Sequence, residues 1–197
     1  QLTVILGYLE IMKMKFPDPA FQDILDNETL AASNIRTQIM FTKDYQDIGV
    51  KSPQWFDIGK VISSVAASLP LSHVSLGVHL DKLELYADPL LEKVFYTLME
   101  NTLRHGKNVR TIRFSFKTLD DSLVVIYEDN GGGIPAEHKE AIFERRFFKH
   151  TGFGLFLSRT ILGITGMTIR ETGIPGKGAR FEISVRKGAY RVEDSAE

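Results

Sequence analysis

The sequence predicts an α+β chain in two parts: an antiparallel helical hairpin over residues 1–48, then a two-layer sandwich over residues 52–187 in which helices cover one face of a mixed, mostly antiparallel sheet. Three observations predict it. Apolar residues in the first part recur at helical steps, interrupted by Phe16-Pro17. Beyond the break at Gly49–Pro53, stretches alternating every two residues interleave with helical ones. The 197 residues, 43% hydrophobic, suffice for one full core plus a small second unit. Residues 188–197 are left as a C-terminal tail.

Each element follows from local pattern. Leu2, Ile5, Leu9, Met12 and Phe16 form one helical stripe. Asp18 is suited to cap a second helix and Pro19 to start it; that helix runs towards Asp47 with Phe21, Ile24, Ala31, Ile35 and Ile39 on its stripe. A hairpin cannot hide both stripes by itself, which predicts a homodimer closed as a four-helix bundle. The second helix spans about 28 residues, roughly 42 Å, against about 16 residues and roughly 24 Å for the first, so the first is expected to lack its beginning. A helix is predicted over Ile58–Ser68, strands over Val74–Val78 and Leu83–Tyr86, and a longer helix from Asp88-Pro89 to the glycine stop after His105. Strands Thr111–Phe116 and Leu123–Glu128 form a hairpin across the Asp120-Asp121-Ser122 turn. A triple glycine at 131–133, a short helix at Ala141–Phe143, a helix from Gly152 to Ile164, and strands around Met167–Ile169 and Arg180–Val185 complete the chain.

Composition narrows the function. With 24 basic and 25 acidic residues the net charge is −1, which argues against a phosphate-neutralising surface and hence against nucleic acid. No cysteine is present, which removes thiolate chemistry and is compatible with a reducing compartment; a cytoplasmic location is the default expectation. The longest apolar runs, such as Val124–Tyr127, are far short of a bilayer span, so no membrane contact is expected from this segment.

Three places could carry chemistry. On the helix ending at His105, Leu91, Val94, Phe95, Leu98 and Thr102 would pack on a sheet, whereas Thr97, Glu100, Asn101, Arg104 and His105 form an all-polar face. That face is either simply solvated or a site, since an Asn beside a Glu suits hydrated Mg²⁺ and a proton acceptor. Glu128-Asp129-Asn130-Gly131-Gly132-Gly133-Ile134-Pro135 follows a strand. It is either a plain turn or a place where a carboxylate at the strand end accepts from an exocyclic amino group while glycines admit a flat base. It fails the dinucleotide fingerprint, because Pro135 interrupts the required helix and no acid occurs at 150–154. Thr151-Gly152-Phe153-Gly154-Leu155 opens a helix whose free amides could hold phosphates, with Lys149 and His150 upstream as further donors. No Walker-type loop occurs, so a nucleotide site here is not a P-loop.

The order of these signals is more specific than any one of them. Glu-Asn helix, Asp-x-Gly-x-Gly turn, Ile-Phe-Glu, Gly-x-Gly-Leu helix and Gly-x-Gly-x-x-Phe strand together resemble the ATP-binding domain of sensor histidine kinases, which shares the Bergerat nucleotide fold with DNA gyrase, the Hsp90 chaperones and MutL. The resemblance covers about residues 52–187, and Gln1-Leu2-Thr3-Val4-Ile5-Leu6-Gly7-Tyr8-Leu9 resembles the later part of the family's phosphoacceptor helix.

The resemblance implies ATP and Mg²⁺ as cofactors. It makes Glu100 the base that assists attack on ATP and Asn101 the Mg²⁺ ligand, with Arg104 and His105 near the phosphates or ribose. Asp129 would bond the adenine amino group, with Gly131 and Gly133 as its glycines and Ile134 beside them. Phe143 would mark the start of the ATP lid, and Lys149, Thr151, Gly152, Gly154 and Leu155 would belong to its phosphate-facing end. Gly176 and Gly178 look like the final glycine pair. Three features depart from the family: Thr97 stands where an asparagine is frequent, the lid is short and carries Arg146, Phe148 and His150, and none of the five histidines lies in the hairpin. In the family the helix reads His-Asp/Glu-x-x-Asn immediately before a stretch like Gln1-Leu2-Thr3, so the resemblance implies a phosphoacceptor histidine about five positions before Gln1. The expected function is the catalytic portion of a histidine kinase whose intact parent phosphorylates that histidine for relay to a response-regulator receiver domain, the present chain itself not autophosphorylating. The alternatives are a dimerisation scaffold with a degenerate lid, or a serine kinase or chaperone-like ATPase of the same fold, the last disfavoured by the hairpin.

Overall fold

The computed structural model describes residues 1–144 and 153–192. These form two compact units, Gln1–Gln46 and the described residues from Asp47 onward. In the first, α1 (Leu2–Lys15) and α2 (Pro19–Asp47) are joined by a short turn. Asp18 Oδ1 accepts the Ala20 amide at 2.9 Å, the capping role its position predicts. Gln22 Nε2 donates to the carbonyls of Lys13 and Phe16, Lys13 pairs with Asp26 at 2.6 Å, and Phe16 stacks on Phe21.

The buried residues of α2 are Leu25 and Ala32, seven apart and therefore on one face. The stripe read from the sequence lies elsewhere on the helix: Phe21, Ile24, Ile35 and Ile39 are 49–59% exposed. On α1, Ile5 and Met12 are exposed as well, as is Phe16 at its C-terminal cap, and no residue of that helix is buried. Both helices carry apolar residues on more than one face, and periodicity alone does not say which face meets the neighbouring helix.

The second unit holds two sheets. Its five-stranded sheet has the order β2 (Ser75–His79), β4 (Thr111–Leu119), β5 (Ser122–Asp129), β7 (Arg180–Arg186), β6 (Thr168–Glu171). Every pair is antiparallel except β2 with β4, a parallel pair that needs the long crossover between them. Three helices, α3 (Ile58–Ala67), α4 (Leu91–His105) and α5 (Phe153–Gly163), supply the other layer. Val94, Phe95, Leu98 and Met99 of α4 are fully buried, as are Phe114 and Leu123 of the sheet. Phe95, Phe114, Tyr127 and Phe181 form a chain of aromatic contacts with centroids 5.0–6.2 Å apart, leading towards the C-terminal end of β5. The two-layer α+β architecture expected from the sequence is the one observed.

Several boundaries differ from expectation. A second, three-stranded sheet has the order β1 (Gln54–Asp57), β3 (Leu83–Ala87), β8 (Tyr190–Val192), and of its strands only β3, expected over Leu83–Tyr86, is legible in the pattern. Adjacent Trp55 and Phe56 break the alternation of β1. The segment expected to be a tail from 188 instead enters the fold: Gly188 turns the chain at φ +86°, Ala189 is buried, and the Arg191 guanidinium lies 3.7 Å from the Trp55 ring centre. Helix α4 begins at Leu91, not at Pro89, because the buried Asp88 carboxylate bonds both the Leu90 amide at 2.8 Å and the Gly49 amide at 2.9 Å and holds the preceding residues in a turn. Ala141–Phe143 is a 3₁₀ turn. At the β1–α3 junction Asp57 caps the helix, accepting from the Lys60 amide at 3.0 Å.

Candidate functional site

The C-terminal end of β5 delivers Asp129 between α4 and the β6–β7 connection. Its carboxylate is 9% exposed and held from three sides. Oδ1 accepts the Gly131 amide at 2.8 Å and the Ala179 amide at 3.0 Å; Oδ2 accepts the Thr102 hydroxyl at 2.6 Å. Behind Thr102, the Tyr127 hydroxyl lies 2.6 Å from Thr102 Oγ1 and 3.2 Å from the Leu98 carbonyl. Burial pushes the Tyr127 hydroxyl far above the ordinary tyrosine range, reinforced by the nearby Asp129 charge and opposed by the Thr102 hydrogen bond, so it stays an O–H donor.

The glycines around Asp129 are required by close backbone approach. A Cβ on Gly131 would run into the Gly106 carbonyl, whose oxygen also accepts the Gly132 amide at 2.7 Å. A Cβ on Gly178 would strike the Asp129 carbonyl, and Gly178 has φ +109°. The Gly176 amide donates to the Gly132 carbonyl at 2.8 Å, tying the β6–β7 connection to the triple-glycine turn. Asn130 closes the other side: its Oδ1 accepts the Arg110 and Thr111 amides at 2.8 and 3.0 Å.

The β6–β7 connection has its own anchor. Glu171 is buried, its Oε1 accepting the amides of Gly173 and Arg180 at 3.0 and 3.1 Å, while Oε2 lies 2.8 Å from Lys139 Nζ. Lys139 also donates to the Gly173 carbonyl. The ion pair thus joins the segment after the glycine turn to the connection that flanks Asp129. A cleft of about 370 Å³ beside this connection is lined by Asp129, Gly178, Lys177, Arg180, Glu128 and Glu182.

On α4, Glu100 and Asn101 are half-buried, and Arg104 and His105 are exposed. Glu100 and Arg104, one turn apart, approach at 3.6 Å. Thr97 does not point away unused: a Cβ on Gly154 would come within 2.8 Å of its methyl, so the first turn of α5 sits against α4 at a point where both residues are small. Gly154 and Leu155 are half-buried at that end of α5, and Ile134 is half-buried after the turn. Phe143 is buried edge-on to Phe181, with the Arg159 guanidinium 4.1 Å from its ring centre, which places it in the core as an anchor for the chain that follows. Lys149, Thr151 and Gly152, with Arg146, Phe148 and His150 of the segment expected to be a lid, lie outside the described residues.

The structure therefore brings Asp129, Gly131 and Gly133 together with the α4 residue Thr102, the neighbour of Asn101. Sequence reasoning assigned Thr102 to packing alone and did not single out Tyr127, Lys139 or Glu171. A hydroxyl on an otherwise apolar stripe was the available signal for Thr102. A charged residue at an inward position of a short strand was the signal for Glu171.

Residues 87–189 match the family described as histidine kinase-, DNA gyrase B- and HSP90-like ATPases. The chain belongs to that family. Among curated relatives of this ATPase family, the alginate biosynthesis sensor protein KinB of Pseudomonas aeruginosa is 36% identical over 80% of the chain. The signal transduction histidine-protein kinase AtoS of Escherichia coli is 25% identical over 92% of the chain. The chain spans 27% and 32% of the length of these two relatives. In fold it is similar to the Acinetobacter baumannii histidine kinase AdeS, with TM-score 0.62 and 20% identity, covering 95% of this chain and 96% of that one. Among the described residues no helix is long and apolar enough to cross a membrane.

Proposed function

We propose that this chain is the ATP-binding catalytic portion of a sensor histidine kinase that, in its intact parent, transfers the γ-phosphate of ATP to a histidine on the dimerisation helix for relay to a response-regulator aspartate. The observation that carries the reading is the Asp129 carboxylate. It sits at a strand end, immobilised by three donors, beside glycines whose missing side chains let the Gly106, Asp129 and Gly178 backbones close tightly around the turn that carries it. A carboxylate so held is a fixed acceptor for an exocyclic amino group.

Family membership supports extending this to the phosphate end. Glu100 would take the proton of the attacking imidazole, and Asn101 would give Mg²⁺ one oxygen. Among the described residues no three His, Asp or Glu side chains cluster as a metal cage, which suits an ion that keeps several waters and takes its remaining oxygens from nucleotide phosphates. Positioning and charge stabilisation are what phosphoryl transfer asks of a protein, and this set of groups can supply both. The amides at the start of α5, with Gly152, Gly154, Lys149 and Thr151, would face the phosphates.

The exposed apolar faces of α1 and α2 support homodimerisation through the hairpin, with a receiver domain as the further partner. None of the five histidines lies on α1 or α2, so the acceptor is proposed to be outside these residues and the chain by itself not to autophosphorylate. Calorimetry with ATP or ADP in Mg²⁺ tests the site; absence of binding at millimolar nucleotide would overturn it. Acid-labile phosphate on the isolated chain would overturn the placement of the acceptor.

A further inference from the structure

We infer that Thr102 and Tyr127 are positioning residues that set the base preference of this pocket by leaving Asp129 a single open acceptor direction. The inference rests on the nucleotide reading above and deepens it. A carboxylate offers about four lone-pair directions. On Asp129 two are taken at Oδ1 by the Gly131 and Ala179 amides, at 2.8 and 3.0 Å, and one at Oδ2 by the Thr102 hydroxyl at 2.6 Å. One remains.

The direction of the hydrogen bonds follows from the carboxylate, which can only accept. The single Thr102 proton goes to Oδ2, so across the 2.6 Å contact with Thr102 Oγ1 the buried Tyr127 hydroxyl is the donor, with the Leu98 carbonyl at 3.2 Å as a second, longer acceptor. With its own oxygen receiving that proton, Thr102 is oriented to give its proton to Asp129. The result is a one-way chain, Tyr127 to Thr102 to Asp129, ending on an acceptor-only group. A purine bearing an amino donor at carbon 6 completes the carboxylate's set of partners. A purine without it leaves a buried acceptor unmatched, which is the costly case.

Removing the Thr102 hydroxyl would undo this in a way that loss of packing would not. Thr102→Val keeps the shape but places a methyl against Oδ2 and removes the donor that occupies one of its acceptor directions. The discriminating measurement is the ratio of dissociation constants for ADP and for purine riboside diphosphate, which has hydrogen in place of the 6-amino group. It is read by calorimetry on the whole chain and its variants. The unsubstituted protein is expected to prefer ADP, Thr102→Val to reduce that preference about tenfold, and Tyr127→Phe to reduce it about threefold. Thr102→Ser, which restores the hydroxyl, is expected to return the preference to within about twofold of the original.

If Thr102→Val weakens both nucleotides by the same factor, or leaves the ratio unchanged, the residue is structural and the inference is overturned while the nucleotide reading stands. If the unsubstituted chain binds neither nucleotide, that reading falls and takes this one with it. Should Thr102→Val fail to fold, as judged by its thermal transition, Tyr127→Phe decides by the same ratio.

Discussion

The two ends of the site are built differently. At the base end, Asp129 is buried and held by two amides and a hydroxyl, and its glycines are fixed by contacts that leave no room for a Cβ. At the other end, Glu100 is half-buried, and its carboxylate lies 3.6 Å from the guanidinium of Arg104, itself 56% exposed. A side-chain pair so exposed contributes little to stability. On the proposed function, the contrast teaches that rigidity is concentrated where the base would be recognised, while the groups proposed for chemistry stand at the more exposed end, where phosphates, metal and an incoming imidazole would be met. Affinity should therefore be governed from the Asp129 end and rate from the Glu100 end.

Glu100→Gln is the sharpest way to test that division. In a parent that carries the acceptor histidine, loss of a positioned base should slow phosphotransfer by about 10²–10⁴-fold. ADP affinity should change by less than about twofold, as expected for a group that acts only in the transition state. Single-turnover transfer assayed beside calorimetry checks both. Equal losses in affinity and rate would erase the distinction between the ends.

Asp129→Asn should produce the opposite pattern. The amide cannot accept at every position that the carboxylate now fills, and one of its donors must face the Gly131 and Ala179 amides or the Thr102 hydroxyl. ADP binding should weaken by about 100-fold, the scale of one charged hydrogen bond lost together with an unsatisfied buried group. Unchanged affinity would mean that the base end is not live. Gly131→Ala should act at the same end through sterics. Its methyl would meet the Gly106 carbonyl, and overpacking of this kind costs about 1–3 kcal/mol, read as a lower denaturation midpoint together with weaker ADP binding.

How much of this was legible in the sequence follows the same contrast. The Asp129 turn could be located because its spacing of acid and glycines is local, and the fold class because strand and helix periodicities differ. The hydrogen bonds that fix Asp129 could not be read, since Thr102 and Ala179 lie 27 and 50 residues away and meet it only through the α4–β5 packing and the β5–β7 pairing. Lys139 escaped for the same reason: it looks like an ordinary surface charge until the segment after the glycine turn folds against Glu171. The stripe on α2 was a true periodicity with an unresolved direction, because a helix apolar on two faces gives the same pattern whichever face is covered.

A substitution remote from both ends separates global stability from site effects. Asp57 caps α3, and its acceptance of the Lys60 amide, followed by contact with the Lys60 side chain, holds its carboxyl below the ordinary aspartate range. A carboxyl whose folded pKa is depressed contributes stability that is present above its unfolded value, near pH 4, and lost as the pH falls through the folded value. Asp57→Ala should therefore lower the unfolding free energy by about 1 kcal/mol at neutral pH, the usual worth of an N-cap. The difference from the unsubstituted chain should shrink in urea titrations carried towards pH 3. ADP affinity and base preference should stay where they were, since no part of the cap reaches Asp129. If this variant also loses the preference for the 6-amino base, then binding follows the stability of the whole unit, and the rigidity of the base end is not a local property.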